Sequence, residues 1–206
     1  MLAEADRRVG RLRLYEDTGC QLLEVNSIYQ LLAMRLADGP TLARARLLLM
    51  VPDLLHLAMS GVAVCEYTDA TTTGFYDVRR RAWAVELLDD LGIPHQFLGE
   101  VVEPGTVDGE LRSSFTSAPG LQGTLVVRPP SHDTASAVVA VPFSDPRAAY
   151  ISSGTWSLVG VETPDPVVAG QDVEPERSDR DDVGAIERQQ RVIGEDEHEQ
   201  VGHASP

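Results

Sequence analysis

Residues 131–138, Ser-His-Asp-Thr-Ala-Ser-Ala-Val, place the carboxylate of Asp133 where an apolar, strand-like run gives way to small residues that favour a helix. The run is Leu125 to Arg128, followed by Pro129-Pro130. A helix start offers unpaired N–H groups and the positive end of the helix dipole, which hold an acid in its ionised form. Further along, Tyr150-Ile-Ser-Ser-Gly-Thr-Trp-Ser-Leu-Val reads as a strand, a Gly turn and another strand. The amides of such a turn, with the Thr155 hydroxyl, can face a phosphate. A general base beside a phosphate-holding turn is what phosphoryl transfer to a small hydroxylated molecule requires.

Each of these signals also has a plainer reading. Asp133 before Thr-Ala-Ser-Ala is by spacing an ordinary helix N-cap, and Ser152-Ser153-Gly154-Thr155 is an ordinary hairpin turn. Ser131, His132 and Asp133 contain the three residue types of a hydrolase triad, but consecutive residues cannot relay a proton in the required geometry. No second His lies at metal-ligand spacing from His132, so no protein metal site is expected. The polar, β-branched run Glu66-Tyr-Thr-Asp-Ala-Thr-Thr-Thr is expected to serve turn and strand-end hydrogen bonds, and Trp83 and Trp156 the core.

The elements that must position these residues fall into three stretches. From Tyr15 to Leu98 the pattern is mostly helical. Ile28, Leu31 and Leu32, then Leu42, Ala45, Leu48 and Leu49, recur at helical spacing around a break at Gly39-Pro40. Pro52 to Gly61 reads as a short helix with proline in its first turn and glycine at its end. Thr71 to Val78 reads as extended, and Ala82 to Leu91 as a helix stopped by Gly92 and Pro94. From Val101 to Val161 the texture is rich in strands and turns. After Pro166 there is no aromatic residue and no Leu, and residues 167–206 carry 11 Asp/Glu against 4 Arg. Such a composition cannot bury enough apolar surface to offset its ordering entropy, so an acidic disordered tail is expected there.

Composition sets outer limits. The net charge of −15 disfavours nucleic acid or an anionic membrane surface as a partner. All 17 basic residues are Arg, which removes a lysine nucleophile, a Schiff base and a Walker-type Gly-Lys-Ser/Thr loop from consideration. Cys20 and Cys65 have neither disulfide-framework nor zinc spacing. No apolar run has membrane-spanning length and the N-terminus is not a signal peptide, so a cytoplasmic location is expected.

Several blocks, taken in order, carry a resemblance that periodicity could not supply. They are Asn26-Ser-Ile-Tyr-Gln-Leu, Met50-Val-Pro-Asp-Leu-Leu, Glu66-Tyr-Thr-Asp-Ala-Thr-Thr-Thr, Val102-Glu-Pro-Gly-Thr-Val-Asp-Gly, Pro130-Ser-His-Asp-Thr-Ala-Ser-Ala-Val and Ala149-Tyr-Ile-Ser-Ser-Gly-Thr-Trp-Ser-Leu-Val-Gly-Val-Glu. Over roughly residues 12–166 the chain resembles the rhamnulokinase branch of the FGGY family of carbohydrate kinases. The resemblance implies an α/β kinase of the actin, Hsp70 and hexokinase type with ribonuclease-H-like halves. It implies transfer of the γ-phosphoryl group of ATP, with Mg²⁺, to the 1-hydroxyl of L-rhamnulose. By position Asp133 matches the family's proton acceptor, His132 and Thr134 its flanking sugar contacts, and Gly154 and Thr155 the turn that meets ATP. Residues 1–145 would be the latter part of the sugar-binding domain, 146–166 the start of the ATP domain and 167–206 the tail.

The departures shape the expectation as well. The family's first Asp-x-Gly phosphate strand precedes the point matching Tyr15, and its second domain continues beyond the point matching Pro166. Asp69 and Pro130 stand where the family pattern has Asn and Ala. The fold is therefore expected to be incomplete, the end of one domain plus the first hairpin of the next. Two readings follow: a piece of a sugar kinase, or a catalytically inactive fragment that serves at most as a sugar-binding or interaction module, a separately encoded remainder of the kinase being one partner it could pair with.

Overall fold

The computed structural model describes residues 1–118, 120–145, 148–154 and 157–168. They divide into two units, residues 1–136 with 165–168, and residues 137–164.

The first unit opens with helices α1 (Leu2–Val9) and α2 (Arg11–Glu16), followed by α3 (Ser27–Ala37), α4 (Gly39–Ala43) and α5 (Val51–Ser60). Strand β1 (Cys65–Glu66) leads straight into α6 (Tyr67–Thr72); β2 (Tyr76–Asp77), β3 (Ala82–Trp83) and α7 (Val85–Leu91) come next. Strands β4 (Val101–Val102), β5 (Val107–Glu110) and β6 (Leu125–Val127) complete the unit, and α8 (Asp133–Val139) begins at its end. β1 pairs in parallel with β4, whereas β2 with β3 and β5 with β6 are antiparallel. The unit is thus α/β with helices in the majority.

Its core is helical. Leu14, Ile28, Leu31, Leu32, Leu87, Leu88, Leu91, Phe75 and Phe97 are all buried in one cluster, with α1 packed on α3 and α7. Each such aliphatic side chain contributes about 1.5–3 kcal/mol through its removal from water. Two stops expected from glycine are present. Gly61 ends α5 at φ 87° and Gly92 ends α7 at φ 70°, both left-handed values that suit a residue without Cβ.

Four local expectations are corrected. The threonine run from Thr71 is helical in its first two residues, as the end of α6, instead of extended. The Glu66 side chain accepts hydrogen bonds from the amides of Thr68 and Asp69, and this N-cap outweighs the β preference of the threonines. Ala82 and Trp83 form β3, and the helix starts only at Val85. Residues 45–50 are not helical; the Leu48 amide bonds the Phe97 carbonyl instead. The periodic leucines there report burial along a connecting strand-like segment, which a 3.6-residue count cannot tell from a helix. Helix α1 and the first four residues of α2 also lie ahead of the stretch that the pattern marked as helical.

In the second unit β7 (Ala149–Ser153) and β8 (Ser157–Val161) form the expected antiparallel hairpin. Gly160 lies opposite Tyr150, and a Cβ there would sit 2.4 Å from the tyrosine ring, so any larger residue would have to displace that ring. Of the stretch 167–206, Val167 and Val168 are described, and Val168 is buried. The remainder of that stretch lies outside the described residues. Among the described residues no helix is long and apolar enough to cross a membrane.

Candidate active site

The segment that carries Asp133 is tethered at both ends. At its root, β6 pairs with β5 until Arg128, whose amide bonds the Thr106 carbonyl and whose carbonyl accepts from the Gly105 amide. Pro129 and Pro130 have no N–H to continue a ladder, so the chain leaves the hairpin there. The Arg128 side chain turns the other way and is fully buried. Its Nη1 donates to Asp53 and its Nε to Asp108, both at 2.9 Å, and its Nη2 donates to the Val62 carbonyl. Asp108 in turn meets the His56 ring at 3.2 Å. Helix α5 therefore buries Asp53 and His56 while Val51, Leu54 and Leu55 stay exposed, the reverse of an ordinary amphipathic helix.

At the tip, two side chains from the start of α6 take the backbone of the loop. The Glu66 carboxylate accepts the Ser131 amide at 2.9 Å, and the Thr68 hydroxyl oxygen accepts the His132 amide at 3.1 Å. The Ser136 amide then bonds the His132 carbonyl, which closes the first turn of α8.

Asp133 is consequently the first residue of α8, not its cap. Its side chain is 96 % exposed. The Thr134 amide donates to Oδ1 at 2.6 Å, the Thr134 hydroxyl lies 3.3 Å from the same oxygen, and the His132 Nε2 is 3.6 Å away. The three residues singled out in the sequence, His132, Asp133 and Thr134, thus converge on one carboxylate oxygen. The other oxygen remains open to a substrate. A carboxylate held on the backbone side and open on the other has the geometry of a general base.

Of the turn expected to face a phosphate, Gly154 follows directly on the end of β7, and Thr155 and Trp156 lie outside the described residues. Asp133 and Gly154 belong to different units. Among the described residues no group of three His, Cys, Asp or Glu side chains is placed to hold a metal ion. A cleft of about 400 Å³ is lined by Arg13, Asp17, Asp77, Arg79, Arg80 and Glu86, with none of His132, Asp133, Thr134 and Gly154 in its lining.

One buried acid stands out beside the tether. Asp69 is 6 % exposed and its Oδ2 has no hydrogen-bond partner. Burial, then the nearby charges of Asp53, Glu66 and Asp133, push its carboxyl up to about 6 from the ordinary 3.8. Because the folded-state value is raised, ionising Asp69 costs stability. The cost is absent below about pH 3.8, grows through the window up to about 6 and is full above it. Asp69→Asn is therefore expected to stabilise the protein at pH 7.5 by about 2–3 kcal/mol more than at pH 4. Urea unfolding of both proteins at the two pH values checks this; a constant difference would refute it.

Of the tethers, Arg128, Asp53 and Asp108 were not singled out by sequence reasoning, and Glu66 and Thr68 were singled out only as members of a run expected to serve turn and strand-end hydrogen bonds. Arg128 and Asp108 are 20 residues apart in the chain, and the other pairs 64 to 75. The one local cue was the Glu66-x-Thr-Asp wording, which read as ordinary turn chemistry.

With this geometry in view, comparisons with known proteins agree. Residues 3–140 match the N-terminal domain of the FGGY family of carbohydrate kinases. A rhamnulokinase of Pectobacterium carotovorum is 40 % identical over 166 residues, which span 81 % of this chain and 32 % of that protein. One from Oceanobacillus iheyensis is 37 % identical over 167 residues, 81 % of this chain and 35 % of that protein. The chain thus spans about a third of the length of the curated relatives it matches. Among solved structures, a gluconate kinase from Lactobacillus acidophilus superposes with a TM-score of 0.67 at 21 % identity, over 78 % of this chain and 32 % of that one. A xylulose kinase from the same organism gives 0.65 at 20 % identity, over 78 % and 33 %. At such identities the likeness speaks for the fold alone, the α/β actin- and hexokinase-type kinase fold, of which this chain represents about a third. The family match, which covers most of the chain including Asp133, establishes that the chain belongs to the FGGY family of carbohydrate kinases.

Proposed function

We propose that the chain is the base-bearing part of an ATP-dependent kinase that phosphorylates L-rhamnulose at its 1-hydroxyl. In this reading Asp133 takes the proton of the attacking hydroxyl, and His132 and Thr134 contact the sugar beside it. The turn at Gly154 and Thr155 faces the ATP phosphates, with Mg²⁺ carried on those phosphates. Residues 1–145 then belong to the sugar-binding domain and 146–166 open the ATP domain.

The observation that carries the proposal is the Asp133 carboxylate. It is open to solvent, joined on Oδ1 by His132 and Thr134, and borne on a backbone pinned from α6. Phosphoryl transfer asks a protein mainly for positioning and charge stabilisation, and a fixed, accessible carboxylate is the part of that task a sugar-binding domain supplies. The choice of L-rhamnulose is supported by the name of the relatives near 40 % identity.

The test is a fusion that supplies the remaining two-thirds of a rhamnulokinase to residues 1–166. The fusion is expected to release ADP in response to L-rhamnulose, with the phosphate on the 1-hydroxyl by NMR. The 206-residue polypeptide alone is expected to show no such turnover, because half a cleft cannot align ATP with the sugar. A fusion that phosphorylates another ketose or a sugar acid but not L-rhamnulose would overturn the substrate assignment. One that folds and binds ATP but turns over no sugar would overturn the kinase reading.

A further inference from the structure

We infer that Glu66 and Thr68 are positioning residues for Asp133: together they hold the backbone that sets where the carboxylate stands. The role of the held carboxylate rests on the kinase reading above; the holding itself does not.

Glu66 is fully buried, and no cation is near enough to pair with it among the described residues. Its charge is met by four donors instead: the amides of Thr68, Asp69 and Ser131, and the Thr68 hydroxyl. Three belong to the first turn of α6. The fourth, Ser131, comes from 65 residues away and lies two residues before Asp133. The Thr68 hydroxyl donates its single proton to Glu66, which leaves its oxygen lone pairs for the amide of His132, the residue next to Asp133. One carboxylate and one hydroxyl thereby cap α6 and fasten two consecutive amides of the distant loop.

The direction of the bonds is what makes this a positioning device. Two successive N–H groups facing two fixed acceptors define the rotation of the backbone at Ser131 and His132, and with it the start of α8. Arg128 anchors the same segment three residues upstream of Ser131 through its side chain, so the loop is fixed at root and tip. Charge-assisted bonds to a buried carboxylate are the stronger kind, which suits the residue at the junction. Among the described residues the Asp133 side chain has hydrogen bonds and an ion pair with Thr134 and His132 and none with Glu66 or Thr68, so the tether acts on it through the backbone.

Thr68→Val keeps the shape of the side chain and removes both roles of the hydroxyl; Thr68→Ser restores the hydroxyl. In the 206-residue chain, the Thr68→Val variant is expected to exchange the His132 and Ser131 amides at least about tenfold faster than wild type, while Leu31 and Leu88 in the core keep their protection. Thr68→Ser is expected to return the slow exchange. In the fusion, Thr68→Val is expected to lower kcat about tenfold with the KM for ATP unchanged, and Thr68→Ser to restore it. Unchanged exchange at His132 would overturn the tether. Faster exchange with unchanged kcat in an active fusion would overturn the positioning role. An inactive wild-type fusion would count against the kinase reading alone, because the exchange result stands without it.

Discussion

Asp133→Asn, introduced into the active fusion, is expected to reduce kcat by on the order of 10²–10⁴ while L-rhamnulose binding changes little. Asn is isosteric and can still accept the Thr134 amide at the position of Oδ1, so the start of α8 should survive the change. What it cannot do is take a proton from the sugar hydroxyl as the phosphoryl group arrives. The loss should therefore fall on kcat and on kcat/KM for the sugar alike, the signature of an interaction made in the transition state. Near-normal kcat in this variant would remove Asp133 from the mechanism. Strongly weakened sugar binding with little change in kcat would recast it as a substrate contact. Because Asp133 is almost fully exposed, the variant should unfold at the same denaturant concentration as wild type, which separates chemistry from folding.

Arg128→Met should produce the largest loss of stability, about 3–5 kcal/mol. The guanidinium, Asp53 and Asp108 all have side chains with no exposed surface. Removing the cation leaves two buried carboxylates in each other's field, with only the amides of Met50 and Glu66 beside Asp53 and the His56 ring and Ser60 hydroxyl beside Asp108. Burial already pushes the Asp53 carboxyl upward even with the arginine in place, so its ionised form is the more dependent on that pairing. Against a typical total of about 5–15 kcal/mol, a loss of this size lowers the melting temperature by on the order of 10 °C. Arg128→Lys should rescue little of it. Lysine gathers its donors on one nitrogen, whereas Nε, Nη1 and Nη2 of Arg128 each serve a different partner. Adding Asp53→Asn and Asp108→Asn to Arg128→Met should recover part of the stability. Failure of that rescue would show that lost packing volume, not stranded charge, sets the cost.

What the sequence by itself determined was local or lexical. The break from strand to helix before Asp133 was legible because two prolines end a ladder and small residues follow. So were the hairpin about Gly154 and the glycine ends of α5 and α7, since each depends on a residue with special backbone freedom or restriction. The family was legible in the order of its blocks, which no periodicity encodes. The tertiary structure alone decided the rest. The Thr71-Thr72 pair became helix because Glu66 caps it, and Glu66 is fixed there by a loop 65 residues away. Residues 45–50 lost their helical period to a hydrogen bond with Phe97. Nothing in the sequence marks Arg128, Asp53 and Asp108 for burial, since charged side chains are almost never fully buried unless paired. Their pairing is a contact between α5, β5 and the end of β6, and only the packing of those elements supplies the partners that make burial affordable. The carboxylate at Asp133 could be picked from its neighbours in the chain, but what holds it in place is spread over distances along the sequence that no local pattern spans.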